Sequence, residues 1–362
     1  MIEIDGSCFE GGGQIVRTSL ALSAVTGKSV RIYNIRRGRE KPGLKAQHMA
    51  CIKALEQVCN AQVKGACEGS EELEFIPGPI NGKKIELDVG TAGSITLVLQ
   101  SLLLPCMFVN KKLELTIRGG TDTKWSIPYD YFAQVFIPHI QRFCTTESSL
   151  LNRGYYPKGQ GSVSIIFRPK YKLKDFDNFD KLLSEIRKVD EPIVQESRGH
   201  LLAIRGISHA SNNLESSRVA ERQADSAKSI LKSLDAPVSI QSQYCKTESP
   251  GSGLILWAVF SDNDKSTEMN MESPVIIGAD SLGEKNKSSE QVGIEAANKL
   301  KSAIDSKAPI DAHLADNLVP FLIFGGKIRC QEITDHCKAN IYVVNSFFPA
   351  RLRIEGNIII SE

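Results

Sequence analysis

One arrangement recurs along the 362 residues and narrows the folds open to them: strand, turn of small residues, apolar helix, strand, second helix. In the first copy Ile2-Glu3-Ile4-Asp5-Gly6 reads as a strand and Gly11-Gly12-Gly13 interrupts it. A helical pattern then opens at Gln14 with Ile15, Leu20, Leu22 and Val25 apolar. A strand pattern over 29–35 and a helix over about 45–58, with Met49, Ile52, Leu55 and Val58 on one face, continue the unit, and strands at about 72–76 and 83–89 follow. The pattern restarts at Asp88-Val89-Gly90-Thr91-Ala92-Gly93-Ser94, which feeds a helix over 95–104, a strand over 113–117, the turn Arg118-Gly119-Gly120-Thr121 and a helix over 129–143. A third copy closes the chain: helix 311–324, Gly325-Gly326, strand 327–330, helix 335–348, and strands 351–355 and 357–360. Each unit buries its apolar stripes by laying two helices on one face of a small sheet, so three units in series predict an internal structural repeat.

Different material separates the second and third copies. Residues 170–200 are rich in Lys, Asp and Glu and read as a solvated linker or surface excursion. A strand at 201–207, a polar helix at 215–234, strands at 237–244, 253–260 and 275–278, a charged loop at 263–272 and a helix at 289–305 then predict a small inserted domain. The expected class is α/β (α+β): a large domain of three repeats, each two helices on a small β-sheet, with a smaller α/β domain inserted. The expected division is 1–179 and 309–362 for the large domain and 180–308 for the insert.

Composition removes several functions. Apolar residues make up 41% and charged residues 24%, a globular profile. Lys and Arg total 44 against 42 Asp and Glu, for a net charge of +2, which excludes a bulk polycation while leaving room for a local basic patch. The nine cysteines are odd in number and form no CxxC, so reduced thiols are expected rather than a disulfide framework or zinc knuckle. The chain opens on a strand pattern without a cationic leader, and its longest apolar runs are too short to span a bilayer; a cytoplasmic protein is expected.

Four groups carry chemistry. Glu10 and Arg17 flank the glycines that precede the first helix, where free N–H groups and the helix dipole suit an anion. Arg36, Arg39 and Gln47, with Lys41, Lys45 and His48 nearby, form a basic loop whose arginine forks match phosphate oxygens, although charged loops are usually just solvated. Gln100 is a lone amide in an apolar helix, where a satisfied core group is the commoner case. His313, Asp316 and Asn317 share one helical face, and His336 follows one strand later. Gly27-Lys28-Ser29 is not the end of a phosphate-binding loop, because Leu22 stands where the first glycine must be. The lysine-centred motif of common nucleotidyl-transferring ligases is also absent, so covalent nucleotide chemistry here needs another nucleophile, and histidine can serve.

Taken in order, these stretches resemble the RNA 3′-terminal phosphate cyclases over nearly the whole chain. The shared motifs are Glu10-Gly11-Gly12-Gly13-Gln14 with Arg17, Arg36-x-Gly38-Arg39 with Pro42-Gly43-Leu44 and Gln47-His48, and Thr91-Ala92-Gly93-Ser94 with Gln100. Further along stand Arg118-Gly119-Gly120-Thr121, Arg153 to Gly159 with Gly161, Leu282-Gly283, and Val292 to Ala297. The resemblance implies ATP-dependent conversion of an RNA 3′-phosphate to a 2′,3′-cyclic phosphodiester, through a covalent histidyl-AMP and an adenylated RNA end. It implies His336 as nucleophile, Glu10 beside a divalent metal (Mg²⁺ or Mn²⁺), and Arg17, Arg36, Arg39 and Gln47 on phosphates of ATP or RNA. Gln100, His313, Asp316 and Asn317 would line the nucleotide site, although the family usually has Tyr and Gln where His313 and Asn317 stand. The implied fold is three repeats, each resembling the C-terminal domain of a translation initiation factor, with a small domain inserted before the third.

Three rival readings belong beside this one. A non-catalytic, cyclase-like ribosome-assembly protein would depart at the glycine stretch and at the nucleophile, and this chain keeps both. An enolpyruvyl transferase shares the repeated architecture but has no nucleophilic histidine in its last repeat. A plain RNA-binding protein would carry basic and aromatic RNA motifs that are not seen. A free edge strand of the array could also pair two chains into a homodimer.

Overall fold

The computed structural model describes residues 1–362 apart from Lys83 and Thr91, so the Thr91 of the small-residue turn lies outside the described residues. The fold is mixed α/β, with helices packed on four small mixed sheets. The first sheet holds β1 (Ile2–Asp5), β2 (Val30–Tyr33), β3 (Gln62–Lys64) and β4 (Leu73–Ile76), and the second holds β5 (Ile85–Asp88), β6 (Leu113–Gly119), β7 (Cys144–Asn152) and β8 (Gly161–Pro169). A third sheet is assembled from β9 (Ile193–Gln195) and three strands of the C-terminal stretch, β14 (Gly326–Arg329), β15 (Leu352–Glu355) and β16 (Ile358–Ser361). Between them in sequence lies a separate sheet of β10 (Leu201–Ser211), β11 (Val238–Cys245), β12 (Ser252–Phe260) and β13 (Val275–Leu282).

Three sheets share one connectivity. Their first two strands pair in parallel, as in β1 with β2, β5 with β6, and β9 with β14. The second strand then pairs antiparallel with the last, and the last with the one before it. A parallel neighbour needs a crossover, and helices α1 (Gly13–Thr26) and α3 (Ile95–Cys106) supply it in the first two sheets. In the third, the whole separate sheet and its helices sit inside the crossover.

This corrects the reading of 170–200 as solvated linker, and with it the start of the insert at 180. That boundary cuts α6 (Phe179–Val189), whose Phe179, Leu182, Leu183 and Ile186 are buried in the main core at helical spacing. β9 belongs to the third sheet, so the separate sheet follows that sheet's first strand instead of preceding the unit. Its own core is formed by β10, β12 and β13 under α7 (Val219–Leu231) and α8 (Ser289–Asp305). The single helix expected over 129–143 is instead α4 (Tyr129–Tyr131), a π-helical turn over Phe132–Phe136 and α5 (Ile137–Ile140).

Helix α1 positions the site. It is buried on every side from Gln14 to Val25 and packs against α2 (Ala46–Cys59), α3 and α10 (Asp335–Phe347). Side chains from three parts of the chain therefore converge on its N-terminal turn. Among the described residues no helix is long and apolar enough to cross a membrane.

Candidate active site

Helix α1 begins with Gly12 as its extended N-cap and, among the described residues, no side chain caps it, so its first N–H groups are left for other partners. Gly13 is required by its neighbours, and Gly12 leaves room for the Glu10 carboxylate. A methyl group on Gly12 would come within 2.6 Å of Glu10 Oε1, and one on Gly13 would overlap His48 Nε2 and approach Arg17 Nη1 to 3.0 Å. Bare backbone thus lets an acid, an imidazole and a guanidinium crowd one helix end.

Glu10 meets a guanidinium and an imidazole there. Its Oε2 lies 3.0 Å from Arg39 Nη2, and its Oε1 lies 2.7 Å from His336 Nδ1. The latter pair is at ion-pair distance without hydrogen-bond alignment. His336 sits in the first turn of α10, and its side chain is 45% exposed, so one edge of the ring is pinned and the other is open to a ligand. The turn is fixed by Thr334, whose hydroxyl accepts from Cys337 N at 3.0 Å and donates to Asp316 Oδ1.

A second chain of contacts runs through Arg17. Its Nη2 donates to Gln14 Oε1 and its Nε to Gln100 Oε1, both at 2.9 Å. Gln100 Nε2 donates in turn to Asn317 Oδ1 at 2.9 Å, and Asn317 Nδ2 to the His313 carbonyl at 2.7 Å. Arg17 is buried and, among the described residues, has no carboxylate in salt-bridge contact. Burial draws its guanidinium below the usual arginine value, but an arginine stays charged, so this is a fixed, buried positive charge.

His48 is also buried, and its pKa is lowered to about 3 by burial and by the charges of Arg17, Arg36 and Lys45. Its Nδ1 accepts from Lys45 N at 2.9 Å, so the neutral ring carries its proton on Nε2, beside Gly13.

The other sequence-derived residues divide. Gln47 lies one position before His48 and donates to the Ser94 carbonyl at 2.9 Å, tying α2 to the start of α3. Arg36 is half-buried with a left-handed backbone (φ 56°), and its guanidinium donates to the Gly43 carbonyl at 3.5 Å. Asp316 is buried in α9 (Ala312–Leu318); burial pushes its carboxyl up against the opposing pull of the Thr334 hydroxyl. His313, in the same helix, is exposed and meets Tyr131 edge-on, with centroids 6.2 Å apart. Sequence reasoning passed over Gln14, Thr334 and Asn340 as site-building residues. Asn340 receives Thr18 Oγ1 at 2.6 Å and donates to the Asp316 carbonyl at 2.7 Å, locking α1, α9 and α10 together.

A separate polar cluster joins the main body to the inserted sheet. Arg153 Nη1 lies 3.1 Å from Asp122 and Nη2 2.6 Å from Asp130, with all three buried. His209 on β10 places Nε2 3.3 Å from Asp122 Oδ1, and its Nδ1 meets the Tyr155 hydroxyl at 2.7 Å. Burial alone would raise the Asp122 carboxyl, but His209 and Arg153 outweigh it and hold the group well below the usual range.

The family model described as RNA 3′-terminal phosphate cyclase matches residues 8–354 of the chain. The chain belongs to that family. Among proteins named RNA 3′-terminal phosphate cyclase, that of Pyrococcus furiosus is 42% identical over 360 residues, covering 99% of this chain and 96% of the relative. That of Archaeoglobus fulgidus is 41% identical over 364 residues, with 99% of each chain covered, and that of Saccharolobus solfataricus is 41% identical over 360 residues, covering 98% and 97%. In this member of the cyclase family the residues at 313 and 317 take different parts. The His313 ring is exposed, whereas the Asn317 amide is engaged with Gln100.

Proposed function

We propose that this cyclase-family chain uses ATP to convert an RNA 3′-phosphate to a 2′,3′-cyclic phosphodiester, with His336 as the nucleophile. The observation that carries the reading is the contact of His336 Nδ1 with Glu10 Oε1, with the fixed charges of Arg39 and Arg17 beside it. The carboxylate contact occupies the Nδ1 edge of the ring, so Nε2 is the atom left to attack.

In the first step His336 Nε2 forms a P–N bond to the α-phosphorus of ATP, and the bond to pyrophosphate breaks. Nδ1 keeps its proton, and the positive charge that the ring gains is balanced by the Glu10 carboxylate beside it. Arg17 and Arg39 stabilise the charge that grows on the phosphate oxygens. An oxygen of the RNA 3′-phosphate then attacks the same phosphorus, the P–N bond breaks, and His336 returns to its starting form. Finally the 2′-hydroxyl attacks the activated 3′-phosphorus, AMP leaves, and one proton is released. The neighbouring hydroxyl works at high effective concentration, so orientation is most of what this step requires.

Glu10 also fits a divalent cation. Its Oε1 touches His336 Nδ1 but, among the described residues, accepts no hydrogen bond, so the carboxylate keeps lone-pair capacity for an ion, and one carboxylate plus substrate phosphates is a donor set suited to Mg²⁺ or Mn²⁺. Such an ion supplies charge neutralisation on the phosphates. The test is incubation of an RNA bearing a labelled 3′-phosphate with the protein and ATP. Label that becomes resistant to phosphatase only when ATP is present supports the reading; label that stays phosphatase-sensitive overturns it.

A further inference from the structure

Beside the site lies a cleft of about 910 Å³ that the proposed chemistry does not use. That is the upper end of the range for small-molecule pockets. Gln47 and Ser94 line it, so it is continuous with the phosphate-binding end of the active site. Its walls come from the main body on one hand and the inserted domain on the other, and Lys124 and Glu284 pair between the two at 2.5 Å.

Two large rings line this cleft without being buried. Trp125 is 93% exposed and Tyr156 76% exposed. Trp125 has a left-handed backbone (φ 61°), a conformation that bulky residues rarely hold and that tends to occur at ligand clamps. Its loop is braced by Thr123 and Ser126, whose hydroxyls meet at 2.9 Å. Tyr156 follows a buried anchor: Tyr155 bonds His209, and its ring packs so closely on Gly251 that no side chain fits there. A bridge between Asp122 and Tyr155 brings the two loops together. Lys285 lines the same cleft and, among the described residues, has no carboxylate partner, unlike Lys124 and Lys287.

Exposed rings beside a lysine, leading to a phosphate site, suit a flexible strand whose bases have free faces. Resting on the cyclase reading, we infer that this cleft is the track for single-stranded RNA leading to its 3′-phosphate, with Trp125 and Tyr156 stacking on bases and Lys285 facing the backbone. A paired end offers no splayed bases and is excluded from the rings.

The chain has two tryptophans, and Trp257 is buried, so the emission lost in Trp125→Phe identifies the Trp125 signal. Titrating the full chain, without ATP, with a short 3′-phosphorylated single-stranded RNA should quench that signal, and the same RNA in a blunt duplex should not. Trp125→Ala with Tyr156→Ala should weaken single-strand binding roughly 5- to 150-fold per lost stack, and Tyr156→Phe should restore the tyrosine's share. A thermal melt of each variant separates lost binding from lost folding. Cyclisation by the wild type with no change in Trp125 emission, or equal quenching by the duplex, overturns this inference alone. Failure to cyclise with quenching intact overturns the proposed reaction and leaves the track standing.

Discussion

Replacing Arg153 by Met tests how the main body and the insert are joined. The guanidinium is buried and reaches Asp122 at 3.1 Å and Asp130 at 2.6 Å. Met keeps the apolar stem as far as the position of Nε but removes the guanidinium and its charge. Asp122 retains the Thr121 hydroxyl at 2.6 Å and His209 at 3.3 Å, whereas Asp130 loses its only salt-bridge partner among the described residues. Breaking a buried pair by deleting one member costs about 3–5 kcal/mol, chiefly because a charge is left without compensation. Most of that should sit on Asp130, so adding Asp130→Asn should recover about half. Urea unfolding of the wild type, both single variants and the double variant gives the coupling directly as a double-mutant cycle. A loss below about 1 kcal/mol for Arg153→Met, or strictly additive effects in the double variant, would refute the reasoning.

Three further outcomes follow from the site. Gly13→Ala should destabilise by about 1–3 kcal/mol despite the better helix propensity of Ala, because the methyl overlaps a His48 ring held by Lys45 N; an unchanged melting midpoint would contradict this. Gln100→Leu strips Arg17 Nε of its acceptor and Asn317 of its donor, so stability should fall by about 1–3 kcal/mol, read by chemical denaturation. His48 and, away from the site, His139, which is buried in α5, have pKa values lowered chiefly by burial to about 3 and about 4, below the ordinary 6.5, so the unfolded chain binds protons that the folded one does not. Their stabilising contribution is complete above pH 6.5 and is lost as pH falls toward those values, by about 2 kcal/mol per histidine between about pH 7 and about pH 5. Equal unfolding free energies at the two pH values would rule it out.

Much of the fold was legible because strand, small residues and helix leave a periodic trace, and the helix at 289–305 matches to the residue. What escaped had a physical reason. β9 is three residues long and draws its partner from over 130 positions away, so nothing local marks it. Helix α6 carries Phe179, Leu182, Leu183 and Ile186 at helical spacing, yet reading the charges as a block hid that stripe. The π turn at Phe132–Phe136 inserts a longer hydrogen-bond register that periodicity does not announce. In the site, the glycines before α1 pointed to an anion, but the meeting of Glu10 with His336 depends on α1 packing against α10. Asp316 stands among the nucleotide-site residues that the resemblance implies, and nothing in its sequence position showed that its carboxylate accepts from the hydroxyl that caps the helix of His336. Thr334 could have been found as a cap ahead of an apolar run; Asn340, in mid-helix, gave no such signal.

The most direct test of the account is to incubate the protein with α-labelled ATP and a divalent metal, without RNA, beside His336→Ala. The account predicts an acid-labile, alkali-stable label on the wild type and none on the variant, as a phosphoramidate at His336 requires. Label that persists on His336→Ala, or no label on either protein, would contradict it.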